Sequence, residues 1–464
     1  MATDRSRPNI LLFGLDTTPA NHLSCYGYPR PTSPTIDRLA RNGVQFDDVS
    51  LTGLPTTPGW TSLLSGVHPL NSGIVIHAEP PQQHALSPDF EFLHETLAKN
   101  GYRTVALEGR GRRFRAPYWM RNWQTHLDRG GEETYSRGIP AEHMADILVE
   151  WIASAGAGSD PFYLFSHWWD PHNPYSPPPP YDRMFYAGDE HNPENSSLTK
   201  FRNHPWWRSR YGGQGRAGRD PHWPYSPDPR EAAHTDLVRD VTDLQFLISL
   251  FDGEIAYMDT MIQRVMDTLE AKGLADNTLT IVVADHGESM VDHDMFFNHG
   301  DLYQTNVHIP LIFHHPDGLP AGLHITDTVE HIDLVPTILD LLELEPSTCV
   351  DGMSLAPTLH GKSIEHRPIC MTNNNYGMNR GWRNGRWKLI EQLAPGHLGA
   401  PAGALELYDV ILDPSEQTNL ISTHHTLAES LRAEMHAFVD EMLDGRPDPQ
   451  FTYKDHPSAA NVPF

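Results

Sequence analysis

Cysteine is scarce. Cys25, Cys349 and Cys370 lie far apart and form no CxxC pair, which excludes a disulfide framework and a thiolate zinc site and makes a reducing cytoplasm the expected compartment. Long apolar runs are missing as well. No stretch approaches the ~20 apolar residues of a spanning helix. The apolar run 9–15 is too short for the core of a signal peptide, so it reads as a first strand and no membrane partner is expected. Positive charge is the third deficit: Lys+Arg number 34 against Asp+Glu 60, a formal net charge of −26. Such a surface argues against a nucleic-acid partner, and its surplus of carboxylates suits bound cations. There is no internal repeat.

What is present is a chain of 464 residues, 39% hydrophobic and 20% charged, long enough for one large α/β domain with an appendage. Short β-branched or aromatic runs at 10–15 (ILLFGL), 103–107 (RTVAL), 162–166 (FYLFS) and 278–284 (TLTIVVA) alternate with helical stretches at 33–42, 141–154 and 240–272. The first of these helices is well punctuated: Ser33 at the N-cap, Pro34 at the first helical position and Gly43 beyond the end. The pattern predicts a mostly parallel sheet covered on both faces, with ligands at the carboxyl ends of its strands. Asp16, Asp170 and Asp285 fall at or just beyond such ends. The expected organisation is a catalytic α/β domain over 1–350, a C-terminal subdomain over 351–444 and an extended tail over 445–464. Residues 191–234, rich in Pro, Arg, Trp and Gly, form a candidate lid carrying Trp206, Trp207 and Trp223.

Four islands hold the chemistry: Asp16-Thr17; Pro55-Thr56-Thr57-Pro58-Gly59-Trp60 running into TSLLSG; Asp170-Pro171-His172-Asn173-Pro174-Tyr175; and Asp285-His286-Gly287-Glu288 followed by Asn298-His299-Gly300. Each has an ordinary reading as a helix cap or a stiff turn. Together they bring carboxylates to one sheet edge, where they repel unless cations lie between them, and imidazoles beside them fit the same cations.

In this order, and with VHIPLIF, HIDLVPTILDLLEL, RWKLI and ELYDVILDPSEQTNL further along, the islands resemble the sulfatase branch of the alkaline phosphatase superfamily over most of residues 8–420. The resemblance implies a large central mixed sheet between helices and a smaller C-terminal four-stranded sheet with a helix. It also implies an enzyme that hydrolyses or transfers sulfuryl, phosphoryl or phosphonyl groups at a metal-bound nucleophile.

Two departures shape the expectation. Sulfatases carry Cys or Ser in a C/S-x-P-S/A-R motif that becomes formylglycine; aligned on LLSG, this chain has Thr56 there, with Gly59 and Trp60 replacing the small residue and the Arg. Threonine cannot yield formylglycine, and superfamily relatives with a Thr nucleophile work on phosphorus. The expected activity is therefore a phosphate-diester or phosphonate-monoester hydrolase, with monoesters included, acting through a phospho-threonine. The alternatives are a sulfuric-ester or sulfamate hydrolase using unmodified Thr56 and a catalytically silent binding protein. The second departure is Asp16-Thr17 where the family pairs two aspartates, and His299 where it has a Lys. This suggests two divalent cations, zinc or manganese before iron: one held by Asp16, Asp285, His286 and Thr56, the other by Asp170, His172 and His299. The alternative leaves His172 and His299 as leaving-group partners around a single metal. By position, His77, Arg110, Arg112 and Trp169 are expected to contact the substrate, a small phosphate, phosphonate or sulfate ester. A dimer or tetramer is expected from the Pro-rich tail and the habits of phosphonate monoester hydrolases.

Overall fold

The computed structural model describes residues 7–77, 91–109, 118–127, 138–155, 160–202, 237–238, 240–346, 348–375, 377–396 and 399–452. Its strands in chain order are β1 (Asn9–Leu15), β2 (Val44–Phe46), β3 (Val49–Ser50), β4 (Gly53–Leu54), β5 (Arg103–Glu108), β6 (Thr125–His126), β7 (Phe162–Trp168) and β8 (Thr278–Ala284). Then follow β9 (Leu311–His314), β10 (Leu323–Ile325), β11 (Val329–Glu330), β12 (Ile369–Asn373), β13 (Asn379–Asn384), β14 (Trp387–Gln392) and β15 (Leu405–Asp409).

Strands β1, β7 and β8 are buried at every residue. Near-continuous apolar runs of this kind belong to strands covered on both faces. They form the middle of an eight-stranded sheet in the order β10-β2-β9-β8-β1-β7-β5-β6. Only β9 runs against its neighbours, so the sheet is mostly parallel but mixed. The helix Leu244–Ala271 packs on the helix Ala141–Ala155, and its Asp259 carboxylate accepts from the backbone N–H groups of Thr35 and Ile36, both at 2.9 Å, capping the helix Pro34–Arg41. Thus the short helix is held by the long one as well as by its own punctuation.

The C-terminal sheet has one strand more than the resemblance implied. Its order is β15-β14-β13-β12-β4, and the fifth strand, β4, comes from the segment just before Thr56. β4 pairs in parallel with β12 through Gly53 opposite Thr372 and Leu54 opposite Asn373. The other face packs Trp382, Leu389 and Leu407 on the helix His425–Leu443 through Leu431, Met435 and Val439. The described start of the tail forms a short helix, Pro449–Thr452, whose Gln450 is buried and hydrogen-bonded to Arg380 and to the Asn379 carbonyl. The candidate lid tryptophans lie outside the described residues. Among the described residues no helix is long and apolar enough to cross a membrane.

Candidate active site

Parallel strands β1 and β8 end in register, Leu15 opposite Ala284, and the next residue of each is a fully buried aspartate. Asp16 and Asp285 are therefore neighbours by construction. Burial, and then the adjacent Asp16, push the Asp285 carboxyl well above the usual carboxylate range. Asp285 Oδ1 accepts from the backbone N–H of His286 at 2.9 Å and of Thr17 at 3.4 Å. Asp285 Oδ2 and Asp16 Oδ1 are buried with no hydrogen-bond partner. Leaving such an oxygen unbonded costs about 1–3 kcal/mol, so two together mark the place of a missing partner.

His286 completes the group. Donor atoms of Asp16, Asp285 and His286 lie within 4.8 Å of one another. The His286 Nδ1 faces the Gly287 carbonyl oxygen at 2.8 Å, which can only accept, so this nitrogen carries the proton. Burial, then the nearby His299, hold the ring well below the ordinary imidazole value of 6.5, and hence neutral. Its Nε2 lone pair is left facing Thr56 Oγ1 at 3.0 Å and Asp285 Oδ2 at 3.5 Å. Two carboxylates and a neutral imidazole are a donor set that fits a divalent cation.

Thr56 opens a ten-residue helix, Thr56–Ser65, that is buried throughout. Strand β4 leads directly into it. A Cβ at Gly59 would lie 3.0 Å from the Asp285 carbonyl oxygen, tighter than an ordinary contact, so glycine suits the helix's close approach to the aspartate. Next to the nucleophile position, the Thr57 hydroxyl meets His77 Nδ1 at 2.8 Å. Thr17, which stands where the family has a second aspartate, has a left-handed backbone with φ 46°, uncommon for a β-branched residue, and its hydroxyl is buried without a partner.

The other expected set is arranged differently. Asp170 is buried, and its Oδ2 accepts from the backbone N–H of Ala141 at 2.8 Å, at the start of the helix Ala141–Ala155. His172 Nδ1 bonds the Asn173 carbonyl at 2.8 Å, and its ring stacks on Trp169 with centroids 4.0 Å apart. His299 lies 4.3 Å from the His286 ring and 5.8 Å from the His172 ring, centroid to centroid, and its Nδ1 is 3.4 Å from Glu288. His299 thus lies against His286 with His172 next to it, whereas the Asp170 carboxylate is engaged by the backbone of the helix Ala141–Ala155. Trp169 is 4% exposed and pressed against Gly138, so its faces are covered. Arg110 and Arg112 lie outside the described residues.

Two residues near Asp16, His167 and Glu108, escape the sequence reading. His167, in β7, sits in register between Gly14 of β1 and Glu108 of β5. Its Nε2 is 2.9 Å from Asp16 Oδ2 and its Nδ1 2.7 Å from Glu108 Oε1. Burial lowers this imidazole, but Glu108 and Asp16 outweigh it and push it up to about 9. One carboxylate thus faces each ring nitrogen. Trp60, at the place of the motif's Arg, lays its indole nitrogen 3.1 Å from the same Nε2. A Cβ on Gly14 would lie 2.4 Å from the Trp60 ring, so glycine in β1 makes room for the indole. The available signal was weak: a lone His in an apolar strand, and a Glu that ends another.

Comparison with known proteins fits this geometry. The Sulfatase family model matches residues 8–344, and the model for the C-terminal part of N-sulphoglucosamine sulphohydrolase matches residues 292–443. An N-acetylglucosamine-6-O-sulfatase of Bacteroides thetaiotaomicron is 21% identical over 528 aligned positions, covering 98% of this chain and 88% of the relative. Among solved structures, a protein in complex with its substrate D-glucosamine-2-N,6-O-disulfate superposes with a TM-score of 0.73 at 18% identity, over 96% of this chain and 99% of the other. A phosphonate monoester hydrolase of Agrobacterium radiobacter gives 0.67 at 20% identity, over 96% and 97%. Both structures share the fold. The expectation of a phosphate-diester or phosphonate-monoester hydrolase is corrected by the sulphohydrolase match at 292–443 and the end-to-end similarity to a sugar sulfatase. The physical reason is that phosphorus and sulfur esters present the same tetrahedral oxyanion to a nucleophile, so Thr56 alone does not select between them. With its family model covering most of the chain, the protein belongs to the sulfatase family and is an enzyme that hydrolyses ester-type linkages on the alkaline-phosphatase-superfamily fold.

Proposed function

We propose that the chain hydrolyses sulfuric esters or sulfamates of sugars, with unmodified Thr56 as the nucleophile. The observation that carries this reading is the Thr56 hydroxyl, 3.0 Å from His286 Nε2 and beside two buried carboxylate oxygens that no protein group bonds. The C-terminal match to N-sulphoglucosamine sulphohydrolase supports sulfur as the centre attacked, and the sugar sulfatase relative supports a sulfated sugar as substrate. A divalent cation held by Asp16, Asp285, His286 and the Thr56 oxygen would favour the alkoxide and neutralise sulfuryl oxygens. One cation suffices for this reading, since Asp170 Oδ2 is committed to Ala141. Zinc and manganese suit the mixed oxygen and nitrogen donors.

The remaining work falls to the chain. The N–H groups at the start of the helix Thr56–Ser65 favour the anionic sulfuryl group. Thr57 holds His77 beside the nucleophile, where its other nitrogen can donate to a sulfuryl oxygen. Thr56 Oγ gives its proton to solvent and attacks sulfur, breaking the bond to the sugar oxygen or nitrogen, which takes a proton from His299 or His172. Water then attacks the sulfated Thr56, restoring the hydroxyl and releasing sulfate and a proton. Three free cysteines support a reducing compartment such as the cytoplasm.

The test is turnover of glucosamine 6-O-sulfate and N-sulfate beside aryl phosphate and phenylphosphonate, with the Thr56→Ala variant as control. Sulfate release that Thr56→Ala lowers by about a thousandfold or more is expected, with a sulfuryl mass increment trapped on the Thr56 peptide. Turnover of the phosphorus esters alone would sink the proposal.

A further inference from the structure

Asp16 and Asp285 differ in how their second oxygen is fixed. Asp285 Oδ1 is held by two backbone N–H groups, which no side-chain replacement can remove. Asp16 has no such support: its only hydrogen-bonded oxygen, Oδ2, faces His167 Nε2 at 2.9 Å, and Oδ1 has no partner. His167 is itself pinned on its opposite edge by Glu108 Oε1 at 2.7 Å and boxed by the Trp60 ring, whose centroid is 4.8 Å away. The row is placed by the sheet and by one helix. Gly14, His167 and Glu108 share one register across β1, β7 and β5, and Trp60 arrives on the nucleophile's own helix.

The geometry points to His167 as a positioning residue that holds Asp16 Oδ2 so that Oδ1 stays turned to the cation, with Glu108 fixing the ring and Trp60 closing the space beside it. Outer contacts of this kind set a ligand's rotamer, and their loss typically weakens metal affinity 10–100-fold. Trp60, the row's member on the helix, stands at the sequence position of the motif's Arg. The row links the identity of Trp60, the absence of a side chain at Gly14 and the carboxylate at Glu108 to one task.

The inference rests on the cation site proposed above, and the test separates the two. Protein stripped with a chelator is titrated with Mn2+ alone, free Mn2+ being read by electron paramagnetic resonance, with thermal unfolding of the metal-free protein alongside. Two variants divide the histidine's contacts. His167→Gln keeps a donor near the Nε2 position, toward Asp16; His167→Asn keeps one near Nδ1, toward Glu108. Both remove any positive charge and both remain polar, so neither buries an uncompensated ion. The expected result is affinity within about threefold of the native protein for His167→Gln and 10–100-fold weaker binding for His167→Asn. Equal affinities in the two variants, or tighter binding in both, would overturn the inference, the second by showing that a nearby cation's repulsion outweighs positioning. A lower unfolding temperature with unchanged affinity in His167→Asn would reduce the row to architecture and overturn it too. If the native protein takes up no Mn2+, Zn2+ included as a second titrant, the cation reading falls and this one with it.

Discussion

Two carboxylate sites stand at the edge of one sheet and have opposite fates. At Asp16 and Asp285, each side chain keeps one buried oxygen with nothing to bond. At Asp170, the carboxylate is drawn to the backbone N–H of Ala141 and serves as the cap of a fifteen-residue helix. All three follow a buried strand, and all three are of metal-ligand type. What separates them is whether the protein has already satisfied the donor. An unsatisfied buried acceptor is a demand for a ligand, and a satisfied one is part of the frame.

That comparison can be broken at its strong end first. Replacing Asp285 with Asn should take metal content below one-tenth of native and activity down by roughly a thousandfold or more, because a charged ligand is lost. Elemental analysis of the purified variant measures the first and sulfate release the second. A variant that kept its metal would remove Asp285 from the site.

Histidines show the same contrast in milder form. His68 donates from Nε2 to the Cys370 carbonyl and accepts the Leu70 N–H at Nδ1, whereas His286 keeps a lone pair facing Thr56. Burial holds His68 and His94 down at about 4 from the ordinary 6.5. With folded values below the unfolded one, the unfolded chain takes up protons first. The stability they contribute is full above about pH 6.5 and is lost as the pH falls toward 4, on the order of 1–3 kcal/mol for each ring. Urea midpoints of metal-free protein across that window should fall with acid. A flat profile would show that these rings are not held neutral.

The smallest effect is expected at the frame side. Asp170→Asn keeps an oxygen that can accept from Ala141, so it should cost about 1 kcal/mol or less in unfolding free energy and leave metal content unchanged. Loss of metal in that variant would erase the distinction drawn here and restore a second cation at Asp170, His172 and His299.

Much of this was legible in the chain. Strand ends followed by Asp, the Ser-Pro start of the helix Pro34–Arg41 and the ordered islands mark the sheet and the edge where Asp16, Asp285 and His286 meet, because local propensity and burial agree there. β4 was not legible: two residues, Gly53 and Leu54, carry no periodicity, and their partner lies at Thr372 and Asn373. His167 was hidden for a related reason. Its meaning comes from register, with Glu108 on one side and Gly14 on the other, and a lone imidazole in FYLFSHWW gives no hint of either. Trp60 reads as a lost Arg until the Gly14 clearance shows what the indole fills. The sulfur or phosphorus preference was misjudged because one residue, Thr56, was weighed above the similarity of the remaining chain.

The pairing of β4 with β12 also orders events in time. Thr52, four residues before Thr56, is hydrogen-bonded to Thr372, 320 positions later. During synthesis the strand that leads into Thr56 therefore gains its sheet partner only after most of the chain has been made. A chain cut before β12 would leave the strand that leads into Thr56 without its partner, so the front of the active edge is finished by the back of the sequence.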